Sequence, residues 1–465
     1  MTSPLSPKQV LALLAVFSII NFGDKAVLGL AGPSITRDLG LTNTRFGAIS
    51  SAFYLLFSLT ALLVGWFGDR LPAGWLLAAM ALVWSAAQLP ILIPAAGFGT
   101  LVVTRVLLGA GEGPSQPMAN HVAFTWFAPE RRTTAAGVIT LGGALGVIFG
   151  GPLLAAVITL AGWRWAFGLL GGLGLIWTLT WLRYGGEGPY TGDELAAPAD
   201  TTPADSTSTG TTPTGTTPTV ARDRHPASTP IPLYRILASP TWIAAAFAGF
   251  TGQWCLGLGL SWLPTFLEHE GGYSSASVGF LIGLPSLVAL ISVPTVMYLA
   301  YRRRKAGFSS HSTYAVLGFG AAFVPALGLL SITFGERGHL LLLSVAIAFG
   351  AGIALAPLVA SAIADLVPVG RRAVALCVGS AISSLGAVIS PWVTGRLLDL
   401  AGDESAGFDA AFRVAAGLAL LGGIALLFLN PEADRARLSH PEASGLAAPT
   451  PPSLPSRARW PPNLP

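Results

Sequence analysis

Apolar runs of about twenty residues recur along the whole chain, each closed by Gly, Pro or charged residues, with few polar positions inside them. A helix needs about 20 predominantly apolar residues to cross a bilayer. The runs divide into about twelve such spans, at 9–32, 45–68, 74–95, 98–120, 133–160, 164–183, 241–267, 274–300, 312–334, 339–366, 373–398 and 408–430. Lipid offers backbone groups no water, so a spanning segment must be a helix or a strand of a closed barrel. These runs are far too long for barrel strands. The expected fold class is an all-α membrane protein of about twelve transmembrane helices.

Composition agrees: 52% of the residues are hydrophobic and 10% are charged, against roughly 25% charged in a soluble domain. The first run follows Lys8, but it is too long for a cleaved signal and contains Asn21, Asp24 and Lys25, so it reads as a retained first span. With the N-terminus placed inside, eighteen Lys and Arg fall on the inner side and six on the outer. The positive-inside rule then puts both termini in the cytoplasm of a cell whose inner membrane the chain crosses repeatedly. Cys255 and Cys377 both fall in spans and the six histidines are scattered, which gives neither a disulfide framework nor a metal-ligand spacing.

Two stretches break the hydropathy pattern. Residues 184–238 contain a Thr, Pro, Gly and Ser-rich run and read as a disordered cytoplasmic loop; residues 431–465, rich in Pro, read as a disordered cytoplasmic tail. They leave an N-terminal six-helix bundle over 1–183 and a C-terminal one over 239–430. The halves are related by an offset of 240 residues, which brings Leu101 onto Leu341, Pro117 onto Pro357, Arg131 and Arg132 onto Arg371 and Arg372, and Gly146 onto Gly386. Internal repeats of this kind are a recurrent plan of transporters. Gly142, Gly146 and Gly150, four residues apart, read as a close helix-packing face.

Only four charged side chains fall well inside the spans: Asp24, Lys25, Arg105 and Glu112. Each costs about 2.5–3.5 kcal/mol at mid-membrane on insertion scales, so the four need a function, a mutual pairing, or both. The bland alternative is two structural ion pairs between the first and fourth spans. The repeat argues against it, because the C-terminal half puts Pro264, Thr265, Val345 and Gly352 at the matching positions. Arg105 and Glu112, seven residues apart, share one helix face about 10 Å apart along the axis, and Gln116 continues that face by one turn. Asn21 lies one turn from Asp24 and Lys25, which diverge from each other by roughly 100°. With all four ionised the site sums to zero. A bound monocarboxylate leaves −1 and a proton on Asp24 or Glu112 restores neutrality, so substrate and proton favour each other's binding.

Several segments resemble the major facilitator superfamily. Gly65-Trp-Phe-Gly-Asp69-Arg70 is similar to its loop motif between the second and third helices, although the following Leu71-Pro72-Ala73-Gly74 departs from the motif's second half. A narrower resemblance is to the anion:cation symporters, which include sugar-acid, hexuronate and aromatic-acid carriers and sialin-like proteins. It is carried by Asn21-Phe-Gly-Asp24-Lys25, Arg105-Val-Leu-Leu-Gly109-Ala-Gly111-Glu112-Gly113, Gly162-Trp-Arg-Trp-Ala-Phe167, Ser261-Trp-Leu-Pro-Thr-Phe-Leu267 and Ser384-Leu-Gly-Ala-Val-Ile-Ser-Pro391. Lys25 stands where that family usually has Arg, which removes a bidentate fork, and Ser384 stands where many members have Asn.

The resemblance implies two pseudo-symmetric six-helix bundles and a substrate anion near Lys25 and Arg105, with Asp24 and Glu112 handling the proton. Asn21, Gln116, Gln253, Trp254 and Ser384 are further candidates to line the substrate cavity, with interfacial anchoring the alternative for the tryptophan. Gly65, Asp69 and Arg70 take the gating-loop place. The function expected is proton-coupled symport of a small organic anion such as a sugar acid. The alternative is proton-driven efflux, suggested by Gly146-Val-Ile-Phe-Gly150-Gly151-Pro152. No nucleophile elbow, phosphate loop or His cluster points to an enzyme. No cofactor is expected beyond the coupling proton, and no nucleic acid. The expected partners are the anion, the proton and membrane lipid, around a monomer.

Overall fold

The computed structural model describes residues 5–67, 72–190, 231–335 and 337–439. Helices α1 (Pro7–Leu39), α2 (Asn43–Phe67), α3 (Ala73–Gln88), α4 (Phe98–Glu112), α5 (Ser115–Trp126), α6 (Pro129–Ala161) and α7 (Trp163–Tyr184) form the N-terminal bundle. The short α8 (Leu233–Leu237) leads into α9 (Pro240–His269), α10 (Ser275–Leu281), α11 (Leu284–Lys305), α12 (Ser310–Ile332), α13 (His339–Gly350), α14 (Leu355–Leu366), α15 (Val369–Leu400), α16 (Glu404–Leu427) and α17 (Pro431–Ser439).

Ten segments among the described residues are long and apolar enough to span a membrane. The other two of the twelve are α2, whose 25 residues reach about 37 Å, and the α4–α5 pair. This pair carries Arg105 and Glu112 and is broken at Gly113-Pro114. The helices overrun the apolar runs. At 33 residues, α1 is about 50 Å long and continues seven residues past the expected end at 32, through Arg37 and Asp38 to a left-handed cap at Gly40. α8 and α17 lie in stretches that composition alone reads as disordered, whereas 191–230 and 440–465 fall outside the described residues.

The repeat seen in the sequence is also a repeat of elements. The 240-residue offset joins the last residue of α5, Trp126, with the last of α14, Leu366, and the first of α6, Pro129, with the first of α15, Val369. Both fourth helices are discontinuous at the same level: α4 ends at Glu112, and its counterpart is interrupted by a 3-10 turn over Ala351–Ala354. Interrupted helices at corresponding places in two halves mark where transporters build their sites.

At Gly146 of α6 a Cβ would stand 2.4 Å from the Ile19 carbonyl oxygen, so only glycine lets α1 lie this close. The halves meet at the end of the bundles remote from the chain termini. There Phe46 of α2 packs edge-on against Trp262 of α9, with centroids 5.2 Å apart. Beside it, Asp399 of α15 accepts hydrogen bonds from the Asn43 and Thr44 amides of α2 at 3.0 and 2.8 Å. The Trp262 indole donates to the Pro391 carbonyl at 3.0 Å, which interlocks two of the motif segments.

Candidate functional site

The two charges on α1 point to different helices, as their spacing requires. Asp24 is fully buried and turns to α3, where its Oδ1 accepts a hydrogen bond from Gln88 Nε2 at 2.9 Å. Its Oδ2 has no hydrogen-bond partner among the described residues. Lys25 turns to α4: its Nζ is 3.1 Å from Glu112 Oε2 and also donates to Asn21 Oδ1. The ammonium lies 4.6 Å from the centroid of the Phe22 ring, within reach of a cation–π attraction. Asn21 in turn accepts from Ser115 Oγ at 3.5 Å, which ties α1 to the first residue after the α4 break.

Arg105 is arranged differently. It is 2% exposed, and its guanidinium carbon lies 4.7 Å from the centroid of Phe167 on α7. Among the described residues, Nε and Nη2 have no hydrogen-bond partner and Arg105 makes no ion pair. The cluster therefore holds one ion pair and one buried, unpaired guanidinium, so two structural ion pairs do not account for the four charges. Desolvating a charge is expensive unless it is paired and hydrogen-bonded. Arg105 therefore keeps donors that no described residue uses.

The break at Gly113-Pro114 changes one geometric expectation. Gln116 does not extend the Arg105–Glu112 face by a regular turn, because the helix stops between them; it is half-buried on α5. Ser115 takes the contact with Asn21 instead. Gln253, Trp254 and Ser384 belong to the C-terminal bundle on α9 and α15, and none of the contacts that join the N-terminal cluster involves them. Trp254 is 7% exposed in the core beside Phe250, which rules out its role as an interfacial anchor. Ser384 spends its hydroxyl on the Ser380 carbonyl at 2.9 Å. Gly65 belongs to α2, whereas Asp69 and Arg70 lie outside the described residues.

Gln88 and Ser115 were not among the residues that the sequence singled out. An amide inside an apolar run was the available signal for Gln88; for Ser115 there was none, since its role depends on where α4 ends.

Two helical bundles related by an internal repeat, with matched helix breaks and a buried charge cluster between α1 and α4, define a multi-pass membrane transporter. The sequence model of the Major Facilitator Superfamily matches residues 14–355 and 326–460, and the chain belongs to that superfamily. It is a transporter and not an enzyme. Over 432 residues it is 28% identical to the hexuronate transporter of Bacillus subtilis (strain 168), covering 91% of this chain and 94% of that protein. It is 26% identical over 437 residues to the D-galactonate transporter of Escherichia coli O6:H1 (strain CFT073), covering 92% and 97%. The solved structure of the nucleoside transporter NupG shares its fold, with a TM-score of 0.68 at 13% identity over 91% of this chain and 99% of that one.

Proposed function

We propose that the chain is a proton-coupled symporter that takes up a small organic anion, a sugar acid or a similar carboxylate, by alternating access. The observation that carries this reading is Arg105: a buried guanidinium with two donors free and, among the described residues, no carboxylate paired to it. A planar fork of this kind suits a carboxylate bonded side-on. Two of the relatives that match over most of both chains are named for hexuronate and galactonate, which are carboxylates carrying hydroxyls. The excess of Lys and Arg on the termini side supports an inner-membrane protein with cytoplasmic termini.

The pairing of Lys25 adds a coupling step to this reading. With Glu112 ionised, the ammonium is held by Glu112 and Asn21. A proton on Glu112 removes that hold and leaves Lys25 as a second positive group for the incoming anion. Asp24, also fully buried, offers a second carboxylate for the proton. The loaded site is then neutral, which lowers the cost of moving it through the closed, dehydrated state.

Proteoliposomes loaded with D-galactonate or D-glucuronate test the scheme. The wild type is expected to accumulate substrate under an imposed pH gradient and to exchange labelled for unlabelled substrate. Asp24→Asn should lose the first and keep the second, and Arg105→Gln should lose both. Gradient-driven uptake that survives both Asp24→Asn and Glu112→Gln would overturn proton coupling through these carboxylates.

A further inference from the structure

The segment Gly162-Trp-Arg-Trp-Ala-Phe167 opens α7, directly after a turn in which Gly162 has φ +93°, a conformation that favours glycine. Its first residues tie down the two helices that bear the charges. Trp163 Nε1 and Arg164 Nη1 both donate to Asp38 Oδ2 near the end of α1, at 3.1 and 2.6 Å. Arg164 Nη2 donates to the carbonyls of Pro94 and Ala96, both at 3.3 Å, in the stretch that leads into α4. One turn further along α7, Phe167 is fully buried, with Trp163 edge-on against it at 6.0 Å and 90°. Its ring therefore has little room to move, and the Arg105 guanidinium rests over it at 4.7 Å.

We propose that Phe167 is a positioning residue for anion affinity: its fixed ring supports the Arg105 guanidinium from one face and leaves the N–H edges free for the substrate carboxylate. The geometry makes the two contacts compatible. A ring attracts a guanidinium through its flat face, whereas a carboxylate bonds to its edge in the guanidinium plane. The ring stabilises a desolvated cation without using any donor the substrate needs. It also limits rotation of the guanidinium, so less freedom is lost when the anion binds. This inference rests on the reading of Arg105 as the anion site.

The test uses the full-length protein in proteoliposomes, with D-galactonate and D-glucuronate as probes and with KM and kcat measured separately. Phe167→Leu is expected to raise KM by roughly two- to tenfold, the cost of ordering a side chain that the ring no longer holds, with kcat within about twofold. A series that replaces Phe167 by mono-, di- and trifluorophenylalanine keeps the ring's shape while draining its negative face, so KM should rise stepwise with fluorine number at constant thermal stability. A purely structural role for the ring would leave KM flat along that series, and a flat series would overturn the proposal even if Phe167→Leu failed to fold. Arg105→Gln separates the two readings. Lost binding in Arg105→Gln beside a flat fluorine series refutes only the role of Phe167, whereas wild-type KM in Arg105→Gln refutes the anion site itself.

Discussion

Glu112 is fully buried with Lys25 as its ion-pair partner at 3.1 Å, so each charge is tolerable because the other is there. Removing one member of a buried pair costs about 3–5 kcal/mol, whereas replacing both by apolar groups of similar size is close to neutral. Thermal unfolding in detergent should therefore show large losses for Lys25→Met and for Glu112→Leu, and a double variant close to the wild type. A double variant as unstable as the sum of the two singles would mean that the pair is not coupled. The four charges were legible in the sequence because an ionised group inside an apolar run has no other explanation than a site or a partner. Their pairing was not. Lys25 turns to Glu112 and leaves Arg105 to Phe167, a choice that depends on how α1, α4 and α7 pack, and nothing in the spacing along α4 favours either cation for Glu112. The Gly113-Pro114 break hid Ser115 for the same reason, since it resets the helical phase that pointed to Gln116.

At the scale of elements, hydropathy located the spans and missed the pieces that fasten them. α17 comes from a charged, Pro-flanked stretch, yet its acids sit at the starts of two spanning helices. Asp434 Oδ2 accepts from the Thr241 amide of α9 at 2.9 Å, and Glu432 Oε1 from the Ser310 amide of α12 at 3.1 Å. Helix starts leave backbone N–H groups unpaired, and a carboxylate there satisfies both the hydrogen bond and the helix dipole. These contacts span nearly two hundred residues of sequence for Asp434, which is why composition reads the stretch as unstructured. Replacing the buried Asp434 by Ala should cost about 1 kcal/mol. Glu432 gives a pH signature. The Ser310 backbone N–H holds its carboxyl below the usual carboxylate range. Its contribution is therefore present above the unfolded value of about 4.3 and is lost as pH falls through the lower folded value. Wild type should melt slightly above Glu432→Gln at pH 7, by a margin that solvent screening keeps small, and the two curves should converge as pH falls through the lowered folded value of this carboxyl. A margin independent of pH would assign the effect to packing instead.

For the whole molecule, the 240-residue repeat was legible twice over, first in matched residues and then in the coincident ends of α5 with α14 and starts of α6 with α15. What the repeat cannot encode is which end of the molecule is closed, because related halves can rock either way about the same site. The contacts remote from the termini decide it here. The first amides of α2 need acceptors, and Thr42 Oγ1 takes only that of Arg45, at 3.3 Å. Asp399, from the other half, takes those of Asn43 and Thr44. The carboxylate thus completes the start of α2 only while the halves are together at this end, which gives the closed state a differential contact. Asp399 is exposed, so solvent screening holds these contacts to about 0.2–1 kcal/mol, and losing them shifts the populations by up to about fivefold. Spin labels on cysteines at positions 42 and 402, in a background with Cys255 and Cys377 replaced by Ser, report the separation across this end. Asp399→Ala is expected to move the distance distribution to longer values and to slow transport by making closure the difficult step. An unchanged distribution would mean that packing, such as that of Phe46 on Trp262 and of Gly47 on Pro391, holds this end shut without Asp399.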